Sequence, residues 1–405
     1  MSVHFSGRLP WPSPPNALAI AIARRRAASL PLLNFVESNP TAVDLDRSAD
    51  DLLSRLAGPA ALRYKPDPRG LVSAREALVS WIGARHPGRA PALSDIFLCA
   101  STSEGYGWLF KLLCDSGDAR QGDAVLVPKP GYPLFDYLAG LEGVEARSYR
   151  LEYAHPRGWR IDLDSLESAL RSGRARAIVL INPNNPTGSY VEAAERRAIV
   201  ELAARHGAAL IVDEVFFGFP LEGGKRESFL GETGVLTFVL DGLSKLLGLP
   251  QMKLGWIAVS GPEPEMAEAE ERLEIVADTY LSAGTPVMTA LPYWLAQAST
   301  FAETLGARLR ANLATLRGGL EGAASPHRVL RCDGGWTALI ESPRLASEEE
   351  LAIGLLEEEG LIVHPGYYFD MEREAYFAAS LILEPSRFSE AAHSYVSFFE
   401  RRLTS

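Results

Sequence analysis

The chain has 405 residues, with 40 lysines and arginines against 51 aspartates and glutamates, a net charge of −11, and 47% apolar residues. That length exceeds what one ordinary hydrophobic core serves, so two domains are expected, and the acidic balance excludes nucleic acid and anionic membranes as main partners. No apolar run reaches the ~18 residues of a membrane helix, and MSVHFSGRLPWPSPPN at the start lacks the basic-then-apolar order of a secretory signal.

Cys99, Cys114 and Cys332 are too widely spaced for a metal site or a disulfide framework, which fits a reducing cytoplasm. Prolines 10, 12, 14 and 15 keep the first residues extended, and Asn16 is placed to cap a helix over Ala17–Ser29. Phe35–Pro40 reads as a short strand entering a turn. After the proline-broken loop Leu62–Gly70, apolar residues 71, 74, 78 and 82 mark one face of a helix ending at Arg85. Ile96–Cys99 is a strand running through Ala100-Ser-Thr-Ser-Glu104 into an apolar helix, Gly105–Cys114. That turn is either an ordinary cap by Ser101 or Thr102, or a helix N-terminus open to a phosphate. Ala124–Val127 is a buried strand closed by PKPGYP at 128–133, where Tyr132 could cover a flat ring or simply pack in the loop.

Strand Ala177–Ile181 ends in the turn NPNNPTG at 182–188. Helix Val191–His206 and strand Ala208–Val212 follow, closed by Asp213-Glu214. The alternation predicts an α/β fold: a large domain with a mostly parallel doubly wound sheet, whose ligands sit at the carboxyl ends of its strands. Val235–Leu240 and Trp256–Ser260 are two more strands, and between them lies DGLSKLLGLPQMKLG at 241–255. Lysine is scarce, at positions 65, 111, 129, 225, 245 and 253 only. Lys245, at the mouth of a buried strand, is placed to lose solvation and become a neutral nucleophile. Glu265–Val276 reads as a charged helix, and a long helix over Pro292–Gly318 joins the domains. Strands at 329–331, 336–340, 361–364 and 378–383, with helix Ser389–Arg401, read as a smaller α+β domain. The expected division is 1–45 as arm and part of the small domain, 46–285 as the large cofactor-binding domain, and 286–405 as the small C-terminal domain.

Five motifs in order, STSEG at 101–105, PGYP at 130–133, NPNNPTG at 182–188, VDEVFFG at 212–218 and SKLLGLPQMKLGW at 244–256, resemble the class I/II aminotransferases of pyridoxal-phosphate fold type I. The resemblance covers about residues 30 to 385. It implies a homodimer using pyridoxal 5'-phosphate, with an amino donor and a 2-oxo acid as substrates. Lys245, next to Ser244, would hold the cofactor as an imine and move the proton, and Asp213 would pair with the ring nitrogen. Asn185 would bond the ring 3-oxygen, Tyr132 would stack on the ring, and the amides of Thr102 and Ser103 would hold the phosphate. Tyr64 aligns with the tyrosine that reaches the phosphate from the neighbouring subunit.

Four positions depart from the family pattern. Lys253 stands for a phosphate-gripping arginine and loses its fork; Gly242 replaces a serine or threonine; Phe216 replaces the tyrosine that bonds the 3-oxygen. Ala378 occupies the place of the arginine that clamps the substrate α-carboxylate, where each charge-assisted bond contributes about 1.5–3 kcal/mol. Arg373 and Arg387 are the nearest arginines in sequence. An eliminating or cyclising enzyme of the same cofactor is therefore the alternative to transamination. A cofactor-binding sensor would carry an added DNA-binding domain, for which the ~35 residues ahead of the fold leave no room.

Overall fold

The structure, a computed structural model, describes residues 3–9, 14–45, 49–116, 122–171, 173–223, 226–322 and 325–404. Eight strands build the large sheet: β1 (Ile96–Cys99), β2 (Ala124–Lys129), β3 (Glu145–Ala154), β4 (Gly158–Ile161), β5 (Ala175–Ile181), β6 (Ala209–Asp213), β7 (Thr237–Gly242) and β8 (Gly255–Ser260). Across the sheet the order is β1-β8-β7-β6-β5-β2-β3-β4. Strands β7, β6, β5, β2 and β3 run parallel. β8 lies antiparallel between β7 and β1, and β4 returns along β3.

The central strands are unbroken apolar runs because helices cover both faces. Alternate residues divide between two cores. Leu210, Val212 and Val239 pack with Leu78, Ile199 and Trp294. Ile211, Phe238 and Leu240 pack with Leu109, Phe135 and Leu273 on the other face. The sheet expected from the sequence is present, with β3, β4 and two helices, Phe135–Glu142 and Leu163–Arg171, added at one side. β3 was not legible because it alternates arginine and glutamate with apolar residues near the sheet edge.

Helix Thr102–Leu113 begins three residues before the expected Gly105. Ser101 Oγ accepts from Glu104 N at 3.1 Å, and Glu104 Oε2 accepts from Ala100 N at 2.6 Å, so the cap fixes the start. Asn16 caps its own helix as expected, accepting from Ala19 N at 2.8 Å. The single helix expected over 292–318 is two. Thr285–Leu295 buries Met288, Leu291 and Trp294 against the large sheet, and Ala298–Leu320 buries Leu305, Leu309, Leu313 and Leu316 in the second core.

That second core belongs to a smaller domain. Thr337–Glu341 pairs antiparallel with Tyr376–Ser380, flanked by Arg328–Val329 and His364–Pro365. Leu33–Asn34 pairs with Leu361–Ile362, tying the N-terminal part to this domain. The last strand occupies 376–380 rather than 378–383. Beyond Ser380 the chain leaves the sheet, and Asn312 Nδ2 donates to the carbonyls of Leu381 and Leu383, both at 2.8 Å.

Candidate active site

Register places the carboxyl ends of the central strands flush. Ile181, Asp213 and Leu240 are neighbours across β5, β6 and β7, and Gly255 faces both Cys99 and Gly242. Asp213, Lys245, the start of helix Thr102–Leu113 and the 182–188 turn therefore leave the sheet at one edge.

Asp213 ends β6 and is held at both oxygens. Oδ1 accepts from Val215 N at 3.1 Å, and Oδ2 accepts from Tyr106 Oη at 3.1 Å. Burial pushes its carboxyl up to about 6, while those two bonds and the Lys245 charge pull the other way. The sequence motifs do not single out Tyr106; its signal is that it lies four residues after Thr102, on the side of the helix facing the sheet.

Lys245 sits in the short turn of helix Leu243–Leu246. Its Nζ lies 5.5 Å from the centre of the Phe216 ring and 5.1 Å from that of Trp336. Burial lowers its proton affinity, and Asp213 partly restores it. The two rings meet edge to face at 5.4 Å. Trp336 is 3% exposed and comes from the small domain, which the sequence reading had not connected with Lys245.

A phosphate seat is tested by Gly255. A Cβ there would lie 3.1 Å from Thr102 N and 3.2 Å from Asp241 O. Glycine therefore leaves the first amides of helix Thr102–Leu113 uncovered, where an anion is favoured by donors and dipole together. Gly242 is tight for a related reason: a Cβ would lie 3.0 Å from Leu254 O. Ser103 is exposed, as is Lys253, which adopts a left-handed backbone at φ 52°.

In the 182–188 turn the three asparagines divide their work. Asn182 accepts from Val191 N and donates to Glu214 Oε1, both at 3.1 Å. Asn184 accepts from Thr187 Oγ1 at 2.9 Å. Asn185 takes part in neither set and is partly exposed. Gly188, at φ +70°, lets the turn touch the small domain, since a Cβ there would lie 2.4 Å from Cys332 Sγ.

Tyr132 is half-exposed, its ring edge-on to Phe135 at 6.4 Å. The loop that carries it is anchored on the small domain through Gly131 N to Phe369 O at 3.1 Å. Tyr64 is 72% exposed and is not brought to this edge within the chain. Ala378 is buried between its neighbours Leu339 and His364, whereas Arg373 and Arg387 are exposed.

A doubly wound sheet of this order, with a smaller domain built from both ends of the chain, is the fold of the fold type I pyridoxal-phosphate enzymes. The chain belongs to the class I and II aminotransferase family, whose model matches residues 33–382. It is 29% identical over 274 residues to glutamate-pyruvate aminotransferase AlaA of Escherichia coli, covering 67% of this chain and 65% of that one. It is 30% identical over 271 residues to nicotianamine aminotransferase B of Hordeum vulgare, covering 65% and 47%. The match thus spans less than two thirds of these relatives. A crystallised aminotransferase from Escherichia coli superposes with a TM-score of 0.83 at 22% identity, over 99% of both chains.

Proposed function

We propose that the protein is a pyridoxal-phosphate-dependent aminotransferase that moves an amino group from an amino donor to a 2-oxo acid. The observation that carries this reading is Lys245: a desolvated amine, walled by Phe216 and Trp336, in electrostatic reach of a carboxyl fixed at both oxygens. Thr102 and Ser103 amides would hold the cofactor phosphate, Asn185 and Tyr132 its ring, and Asp213 its ring nitrogen. When bound, the cofactor supplies an electron sink for the bond broken at the substrate α-carbon. Lys245, whose proton affinity burial lowers, would hold the cofactor through Nζ and move the α-proton. Burial pushes the Asp213 carboxyl up to about 6 even with Lys245 and two hydrogen bonds pulling the other way, so a cationic ring nitrogen beside it would favour its charged form. Gly242, Ser244 and Lys253 shape the phosphate end, with a point charge in place of a fork.

Both named relatives are transaminases, which does not favour the eliminating alternative. The buried Ala378 leaves the substrate carboxylate to groups other than an arginine at that position. Mixing the yellow holoenzyme with single amino acids tests the reaction: conversion to a stable pyridoxamine absorbance is expected, and ammonia release without it contradicts the reading.

The homodimer and the cytoplasmic location belong to the same reading. Leu62 and Leu281 are 90% and 61% exposed, and with Tyr64 and Tyr280 they offer apolar surface to a second copy. Three free cysteines fit a reducing compartment. The chain would divide near residues 46 and 285 into a large and a small domain, with helix Thr285–Leu295 packed on the larger.

A further inference from the structure

Asp213 and Glu214 are consecutive, so they leave β6 toward opposite faces of the sheet. On the Glu214 face, at the same carboxyl edge, lies a second cavity of about 380 Å³. Lys245, Phe216 and Asp213 are not among its walls. Its volume falls within the range of small-molecule sites.

Two arginines, Arg85 and Arg226, face it, and the charge of Asp241 draws on Arg85 from within the same walls. Arg85 ends helix Val72–Arg85, its guanidinium 4.8 Å from the Trp81 ring centre and 3.4 Å from Ser299 Oγ. Arg226 lies over the Phe217 ring at 5.6 Å. Among the described residues neither makes an ion pair. Their charges repel, and His86, whose proton affinity is lowered first by burial and then by Arg85, Arg89 and Arg226, packs its ring on Phe217 at 5.6 Å.

The acidic groups of the cavity are committed elsewhere. Glu214 accepts from Ser228 Oγ at 2.5 Å, Phe229 N at 2.9 Å and Asn182 Nδ2 at 3.1 Å. Asp241 Oδ1 accepts from Gly242 N at 2.7 Å. Burial raises both carboxyls, Glu214 to about 7, which weakens their hold on the guanidinium charges. Glu227 reaches Arg89 and Arg196 instead, at 3.5 and 3.8 Å. What remains is two guanidinium forks beside flat aromatic walls, a combination that matches a carboxylate carried on a ring.

We propose that this cavity binds a small aromatic carboxylate, its anionic end between Arg85 and Arg226 and its ring against Phe217. The ligand braces the turn from Glu214 to Phe219, which carries Phe216 into the Lys245 site from its other side. The inference stands apart from the reaction proposed above, since none of the cavity's walls is assigned to the chemistry.

The test uses the cofactor-loaded protein and 4-bromobenzoate, with 4-bromobenzyl alcohol as its uncharged counterpart. Calorimetric titration of the wild type is expected to show saturable binding of the acid, weakened at least tenfold in an Arg85→Gln/Arg226→Gln double variant. The alcohol is expected to bind at least tenfold more weakly than the acid. Crystals soaked in 4-bromobenzoate supply a readout that needs no variant: anomalous bromine density beside Phe217. Density at the Lys245 site alone, acid binding unchanged in the double variant, or equal binding of acid and alcohol would overturn the proposal.

Discussion

Tyr106 Oη donates a hydrogen bond to Asp213 Oδ2 at 3.1 Å, from the same helix whose N-terminus lies against Gly255. One helix thus aims the carboxylate and offers the amides assigned here to the phosphate. A hydrogen bond to a charged group contributes about 1.5–3 kcal/mol. Tyr106→Phe should therefore weaken cofactor binding by about tenfold, 1.4 kcal/mol. Absorbance titration of the apoprotein with pyridoxal phosphate checks this, and unchanged affinity would separate Tyr106 from the site.

Phe216 has no hydroxyl to offer the ring 3-oxygen, and its ring instead packs on Trp336 at 5.4 Å. A donor at that oxygen favours the deprotonated chromophore. Phe216→Tyr should lower the pH of the bound cofactor's colour change by about one unit, the equivalent of one net hydrogen bond. Spectrophotometric titration of the two holoenzymes compares them; a midpoint that rises in the variant would contradict the assignment.

Arg373 and Arg387 are exposed, the second in the first turn of helix Pro385–Leu403. Surface substitutions of this kind change free energies by about 0.5 kcal/mol or less. Arg373→Ala and Arg387→Ala should each leave KM for the amino donor within about twofold. A loss of tenfold or more in either would make that residue the carboxylate clamp that Ala378 does not provide.

His327 lies in the small domain, where Nδ1 meets Ser342 Oγ at 2.9 Å and burial lowers its proton affinity to about 4. Its unfolded value is near 6.5, so between those values the unfolded chain binds more protons. Its contribution to stability is then complete above pH 6.5 and is lost as pH falls toward 4. His327→Gln should lose less Tm between pH 7 and pH 4 than the wild type does, measured by paired thermal melts; parallel losses would show that this residue does not set the acid limb.

The parallel centre of the sheet is readable because its strands are buried on both faces, which leaves runs such as AIVLI and ALIVD uninterrupted, whereas the strand order and strands β3 and β4 at one side are not. The carboxyl-edge residues followed from the same reasoning, since Asp213 and Lys245 each close such a run. What escaped was set by partners distant in sequence. Trp336 was read as the start of a small-domain strand, and only the tertiary fold brings it to Lys245. Tyr106 looked like part of an apolar helix face, because its hydroxyl finds its acceptor 107 positions away. Ser101 is the cap that the sequence offers, but helix Thr102–Leu113 starts before Gly105 because Thr102, Ser103 and Glu104, which look like a loop, form its first turn.

Lys245 is the residue proposed to carry the cofactor. Borohydride reduction of the yellow protein followed by peptide mapping should find one reduced cofactor adduct, on Lys245, and a Lys245→Ala variant should acquire none. An adduct on another lysine, or a purified protein that stays colourless when pyridoxal phosphate is added, would contradict it.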